Sequence, residues 1–312
     1  MHWLSFALAA YFFNAVTALL DKFLLAGRIK EPAVYAFFVS IFSLFAVLLI
    51  PFGFRFIHWQ TAVVFVISGM LFLYGLVAFY IAVKRSEISR VAPLVGIIIA
   101  VIAGVASFAF GPAANVSFSP LHVLSLLLLL AGAFLIAFDL PLRQTDAIMK
   151  STLLAGALMA LSLLFLKTGY RNADFINGLI WSRFGFIIGG FTLLLIPDFR
   201  RVILAETHAF SSVNRRNITT GAVFVLNKVF GAIAAFCIAY ATFLGPVTFI
   251  QALNGVQYAF LLALALPLSL RYPHIFEERL FFWDWFQKAF AILLIALGMW
   301  LAVTGGGLTL FL

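Results

Sequence analysis

Charge is scarce in this chain: Asp, Glu, Lys and Arg make up 10% of its 312 residues, where a soluble domain carries about a quarter. So few charged side chains cannot cover a core built from the 65% of residues that are apolar, which excludes a water-soluble fold and makes a bilayer the solvent. Cysteine is almost absent. The single Cys237 excludes an internal disulfide, a CxxC redox pair and a multi-cysteine metal site. All five histidines (His2, His58, His122, His208 and His274) fall at the ends of apolar runs or in connections, so neither an intramembrane metal site nor any other cofactor is expected. No HExxH, P-loop or GxSxG phrase occurs, which excludes an ATP-driven pump. A membrane enzyme acting on lipids would gather polar catalytic groups at one interface; none is gathered, and the chain is read as a non-enzyme. The opening MHWLSFALAAYFF has no basic leader, so its apolar stretch is expected to stay as a helix.

What the chain has in quantity is long apolar runs. Breaking them at charges, Gly and Pro yields ten, from Trp3 to Leu25, Ala33 to Phe52, Thr61 to Val83, Ser89 to Phe110, Leu121 to Phe138, Ser151 to Lys167, Ile176 to Ile196, Ile218 to Phe243, Pro246 to Leu268 and Phe286 to Val303. Unpaired backbone is too costly in lipid for any of them to be other than helical, and the alternation of barrel strands is missing. At about 20 residues a span, ten helices and their connections use up the chain. The expected fold is therefore an all-α polytopic membrane bundle. The connection from Pro197 to Asn217 is the longest and reads as a surface helix binding anionic headgroups.

The two halves echo each other. LLDKFLLAGRIKEPAVYAFFVSIFSLFAVLLIP, ending at Pro51, aligns with LLFLKTGYRNADFINGLIWSRFGFIIGGFTLLLIP, ending at Pro197, so that Lys22 falls near Lys167. A second pairing sets FYIAVKRSEISRV, from Phe79, beside FCIAYATFLGPVT, from Phe236, at a similar displacement. Repeats of five spans, an odd number, must enter the membrane in opposite senses. This predicts two inverted five-helix repeats, residues 1–145 and 146–312, an architecture of secondary transporters whose substrate site lies near the midplane between the halves.

In order and spacing, DKFLLAGRIKEPAVYAFF at the end of the first run, SEISRVAPL opening the fourth, WSRFGF in the seventh and LGPVTFIQALNGVQYAFLLAL into the ninth resemble the EamA-like, ten-helix branch of the drug/metabolite transporter superfamily. The likeness covers nearly the whole chain and departs in GPAANVSFSP, which is uncharged where the family usually has acidic and basic residues. The resemblance implies a bundle moving a small metabolite by alternating access, with helices one, three, four, six, eight and nine lining the cavity.

The formal charge of +9 does not point to nucleic acid, because the basic residues are dispersed among connections and report topology. One side of the expected membrane holds three (Arg55, Lys167, Arg171), and the other fifteen, from Lys22, Arg28 and Lys30 to Arg271, Arg279 and Lys288. The positive-inside rule then puts both termini outside a cytoplasmic membrane of prokaryotic type, whereas ten-helix members of the resembled family usually keep them inside.

Ionisable and strongly polar side chains within the runs are the candidates for function, since a charge at bilayer depth costs at least about 2.5–3.5 kcal/mol on insertion scales. Lys228 lies deepest, with Asn227 beside it, and reads as a contact for an anionic or zwitterionic substrate, a proton-titrating group, or an interhelical bond. In the ninth run Gln251, Asn254 and Tyr258 share one helical face, offering either directional bonds to a substrate or glue between helices. Asn14 interrupts the first run. Arg183 completes the candidates, although its stem can reach the interface and Gly185 and Gly189 beside it suggest close helix packing. Asp21 is expected near the interface, solvated or locally paired. An aromatic cage for a quaternary amine around Tyr11, Tyr74, Tyr240 or Tyr258 is a further possibility. Together these predict a secondary-active transporter or exporter of a small polar or amphipathic metabolite, coupled to protons or sodium, monomeric or homodimeric; a passive channel or lipid scramblase is the alternative.

Overall fold

In a bilayer no water competes for the backbone, so each apolar run must close its own N–H···O=C bonds, and a run of leucine, phenylalanine and alanine does so as a helix. The computed structural model describes residues 2–27, 31–85, 88–109, 120–137, 146–210, 215–271 and 282–304, and among these every regular element is helical. In chain order they are α1 (His2–Gly27), α2 (Pro32–Phe42), α3 (Trp59–Arg85), α4 (Ile88–Ala109), α5 (Pro120–Ala137), α6 (Asp146–Gly169), α7 (Phe175–Leu193), α8 (Pro197–Phe210), α9 (Arg215–Leu244), α10 (Val247–Ala252), α11 (Asn254–Arg271) and α12 (Phe282–Thr304). Among the described residues six stretches are long and apolar enough to cross a membrane: His2–Asp21, Pro32–Phe52, Trp59–Lys84, Met149–Gly169, Phe175–Leu193 and Gly221–Leu244. Shorter apolar helices at Leu94–Ala106, Val123–Leu135 and Ala289–Leu301 join them. Large apolar side chains such as Leu48, Val105, Leu195 and Leu293 stand exposed on the outside, as lipid permits and water does not. The protein is an all-α, multi-pass membrane bundle.

Two of the expected helices are interrupted. The second run is α-helical only to Phe42 and continues as a 3₁₀ segment, Ser43–Phe52, which holds Pro51 and stops at Gly53 in the left-handed region (φ 118°). The ninth run is two helices, because Leu253 turns between α10 and α11. Pro246, lacking an N–H, separates α9 from α10. The long connection folds into α8 as expected for a surface helix: Asp198 stands in its first turn, and Ile203 alone among its described side chains is fully packed, against α2 and the core.

The closest helix pairs are α3 with α6, α1 with α9, and α5 with α12; α3 also packs on α7, α4 on α6, and α1 on α11. Small residues permit this. A Cβ on Gly185 would sit 2.1 Å from the Val66 carbonyl oxygen, and one on Gly69 would sit 1.9 Å from that of Ser182, so α3 and α7 touch backbone to backbone. Serines supply interhelical bonds: Ser68 and Ser162 donate reciprocally to each other's carbonyls at 2.8 Å, and Ser125 donates to Gly298. Lys167, counted from sequence among connection residues, belongs to α6 and reaches α9. Its Nζ donates to the carbonyls of Thr242 (2.9 Å), Phe243 (3.1 Å) and Gly245 (2.9 Å), capping the C-terminal end of α9 where unpaired carbonyls and the helix dipole attract a cation. Gly245 also packs on Trp3, so the start of α1 and the end of α6 share one end of the bundle, and these helices run antiparallel. Glu31 and Lys84 pair at 2.9 Å at the other end.

Candidate functional site

The polar centre of the bundle lies between α1, α2, α3 and α9, and its anchor is a residue that sequence placed elsewhere. Asp21, at the end of the apolar stretch His2–Asp21, is only 7% exposed because α2 and α9 close over it, and its partners lie on those helices rather than locally. Its Oδ1 accepts hydrogen bonds from the Tyr35 hydroxyl and from Asn227 Nδ2. Lys228 Nζ stands 4.0 Å from the same oxygen, forming an ion pair between side chains 11% and 10% exposed. Lys228 also donates to the Tyr35 hydroxyl oxygen at 2.9 Å, and Asn227 Nδ2 reaches that oxygen at 3.0 Å. Tyr35 is thus the hub: its proton goes to Asp21, and its lone pairs receive Lys228 and Asn227.

Aromatic rings fix the hub. Tyr80 of α3 meets the Tyr35 ring edge-on at 4.8 Å, and Phe224, one turn before Lys228, does so at 5.6 Å. The Lys228 ammonium lies over the Tyr35 ring at 4.2 Å and the Phe224 ring at 5.0 Å, so the cation is held by carboxylate, hydroxyl and two π faces. One atom stays unsatisfied. Asn227 is fully buried and its Oδ1 has no hydrogen-bond partner among the described residues. Turning the amide over would aim that oxygen at the Asp21 carboxylate, so the charge of Asp21 itself dictates the orientation.

The other predicted residues divide. Lys228 and Asn227 meet as expected. Asn14 is half-buried on α1, two helical turns before Asp21 and on the same face, about 10 Å along the axis. Gln251 is buried in α10, beside the Ile250 carbonyl that accepts the Tyr11 hydroxyl. Asn254 begins α11 and packs against Gly96 of α4. Because Leu253 interrupts the run, Gln251 and Asn254 do not sit on one continuous helical face. Gln257 of α11 is buried too. Tyr258 lies in α11, but its side chain is outside the described residues. Arg183 is half-buried on α7 with its guanidinium over the Phe186 ring at 5.2 Å, and it makes no ion pair among the described residues. Near it, at the turn following α6, burial pushes the Tyr170 hydroxyl up from its ordinary value, and that hydroxyl has no hydrogen-bond partner among the described residues. The tyrosines considered for a cage are dispersed: Tyr11 bonds Ile250, Tyr74 bonds Thr192, and Tyr240 lies among Phe6, Phe175, Phe236 and Phe243.

Sequence reasoning missed Asp21 and Tyr35. Asp21 fell inside the first apolar run, four residues short of its end, a signal that argued for burial. Tyr35 carried no such signal, since a tyrosine near a helix start is ordinary at a membrane interface. Among the described residues no group of three or more His, Cys, Asp or Glu could hold a metal ion.

No family model and no curated protein matches this chain. A solved crystal structure described only as that of a protein superposes on 95% of this chain and 98% of its own length, with a TM-score of 0.63 and 14% sequence identity, a likeness of fold alone.

Proposed function

We propose that this chain is a secondary-active transporter that moves a small polar or amphipathic metabolite by alternating access, and that it is not an enzyme. The observation that carries the reading is the buried Asp21–Tyr35–Asn227–Lys228 cluster, which joins α1 and α2 to α9 across the chain. Two opposite charges buried between helices are an expensive way to hold them together, and here serines already do that at Ser68–Ser162 and Ser125–Gly298. A cluster this costly is what a substrate or ion pathway retains.

The transporter reading assumes two inverted five-helix repeats, 1–145 and 146–312, as in the EamA-like branch of the drug/metabolite transporters. Helix pairing supports it. Counting Pro32–Phe52 and α10 with α11 as one span each, and α8 as peripheral, leaves five spans per half. First-with-third packing then occurs twice (α1 with α9, α6 with α3), as does first-with-fourth (α1 with α11, α6 with α4), while the two fifth spans, α5 and α12, pair with each other. These are the contacts a two-fold axis in the membrane plane would exchange. The antiparallel α1 and α6 agree with it. Tyr35 brings the second span into the site, one helix more than the resemblance implies.

In this reading the membrane is a prokaryotic cytoplasmic one, both termini lie outside by the charge count, and the cluster sits toward the basic, cytoplasmic end. The unit is a monomer or homodimer, and transport is coupled to protons or sodium. Since Asp21 cancels Lys228, the preference for an anionic or zwitterionic substrate rests on Arg183. A thermal-shift screen of a metabolite panel followed by uptake into proteoliposomes under imposed gradients tests this. Gradient-driven accumulation that Lys228→Met abolishes is expected. Equilibration that is indifferent to gradients and to Lys228→Met would instead establish a passive channel or scramblase.

A further inference from the structure

We propose that Arg183 and Tyr170 together bind the carboxylate of the substrate, which makes the transported metabolite an amphipathic monocarboxylate; the inference rests on the transporter reading and gives it a substrate class. Arg183 stands at the middle of the apolar stretch Phe175–Leu193, where an uncompensated charge is expensive. Its guanidinium stays at that depth, over the ring of buried Phe186, rather than running out to either end. Among the described residues no carboxylate or carbonyl is bonded to it. Asp174, the acid nearest in sequence, is engaged by the backbone N–H and the side chain of Asn177. The half-buried guanidinium faces the bundle and not the lipid. At 100° per residue, buried Leu179, Ile180, Phe186 and Gly190 lie within about 60° of Arg183 around α7, whereas exposed Ile188 and Phe191 are turned from it by about 140° and about 80°.

The second donor is Tyr170, only 8% exposed, whose hydroxyl has no hydrogen-bond partner among the described residues. Its ring lies on α7 at Gly178, five residues before Arg183, and is enclosed by Phe243 at 5.3 Å, Phe65 at 5.5 Å and Phe175 at 6.2 Å. Burial pushes this hydroxyl up from its ordinary value, so it stays a donor, and the Arg183 charge is near enough to act on it in the opposite sense. A planar fork and an O–H with no acceptor beside them match a carboxylate: two parallel N–H···O bonds from the guanidinium and a third bond from the phenol. Charge sets the valence. Lys167 has its three N–H groups on the carbonyls of Thr242, Phe243 and Gly245, and Arg171 is exposed, so among the described residues the buried site offers a single positive charge. It balances a monoanion, whereas a phosphate dianion would keep a charge uncompensated away from water. The rings of Phe65, Phe175, Phe186 and Phe243 suit an apolar or aromatic body. This site is distinct from the Asp21 cluster, because Trp3, packed on Gly245, marks the Tyr170 end of α1 and Asp21 stands toward the other.

Isothermal titration calorimetry on the full chain in lipid nanodiscs, with acetate, isovalerate and phenylacetate, their amides, and phenyl phosphate as probes, tests it. Affinity should rise from acetate to the two larger acids and fall by about 100-fold from each acid to its amide. Arg183→Gln should weaken phenylacetate binding by about 100-fold, and Arg183→Lys, which keeps the charge without the fork, by about tenfold. Tyr170→Phe should also weaken it by about tenfold, yet unfold at or above the wild-type temperature because it removes an unpaired hydroxyl, which separates its loss of binding from misfolding. Binding of none of the acids, equally tight binding of the amides or of phenyl phosphate, or affinities that Arg183→Gln and Tyr170→Phe leave unchanged would overturn the proposal. Carboxylate binding that needs both residues, in a chain whose proteoliposomes accumulate none of these acids, would overturn the transporter reading and leave the site standing. Gradient-driven accumulation of an uncharged or cationic solute without carboxylate binding would overturn the site and leave the transporter.

Discussion

Removing one partner of the Asp21–Lys228 pair should destabilise the protein far more than removing both. At 4.0 Å and an effective dielectric constant of about 20, two unit charges attract by about 4 kcal/mol. Asp21→Asn leaves Lys228 with the Tyr35 hydroxyl and two aromatic faces, and Lys228→Met leaves Asp21 with two hydrogen bonds. Each single variant therefore strands a buried charge, at a cost of about 3–5 kcal/mol. The double variant Asp21→Asn/Lys228→Met strands none. It keeps a neutral amide beside Tyr35 and a methionine of similar length against Phe224, and should lose only about 1–2 kcal/mol. The coupling energy of the cycle is then about 4 kcal/mol or more. Equilibrium unfolding in mixed micelles, followed by tryptophan fluorescence and by helical circular dichroism, measures all four corners. Additivity within about 0.5 kcal/mol would refute the reasoning, because it would mean that the two charges do not sense one another.

Lys167→Met removes three ammonium–carbonyl bonds at the end of α9; at about 0.6–1.5 kcal/mol each it should cost about 2–4 kcal/mol, and faster hydrogen exchange confined to the first turn of α10 would locate the loss. Gly185→Ala drives a methyl into the Val66 carbonyl and should destabilise by about 1–3 kcal/mol, whereas Gly104→Ala, whose Cβ finds Thr248 Cγ2 at 3.5 Å, should be neutral or stabilising by up to about 1 kcal/mol; thermal unfolding in detergent ranks them. Ser68→Ala and Ser162→Ala should cost about 0.6 kcal/mol each yet couple in a double-mutant cycle, because each hydroxyl bonds the other residue's backbone and the two oxygens stand 3.2 Å apart.

The helical class was readable because lipid removes every alternative to intrachain hydrogen bonding, and the surface helix α8 because the connection that holds it is the longest and carries charge. Interruptions were less so. Pro246 announces a break, but Leu253 is an ordinary helix former, and no local signal marks the turn that it makes where α10 packs against α4. The same holds for Lys167: at the end of an apolar run it reads as a solvated charge, and only the arrival of the α9 terminus from 75 residues away turns it into a cap.

What the sequence by itself determined was the solvent, the helical class and the short roster of polar residues a bilayer tolerates, since each follows from a transfer cost that one residue incurs alone. What tertiary structure decided was pairing. Asp21 and Asn227 are 206 residues apart, and no local periodicity relates them. Whether a buried charge is a binding contact or half of a neutral pair depends on which helix packs beside it. Electrostatic energy is a property of two groups and the distance between them, and that distance exists only once α1, α2 and α9 have come together.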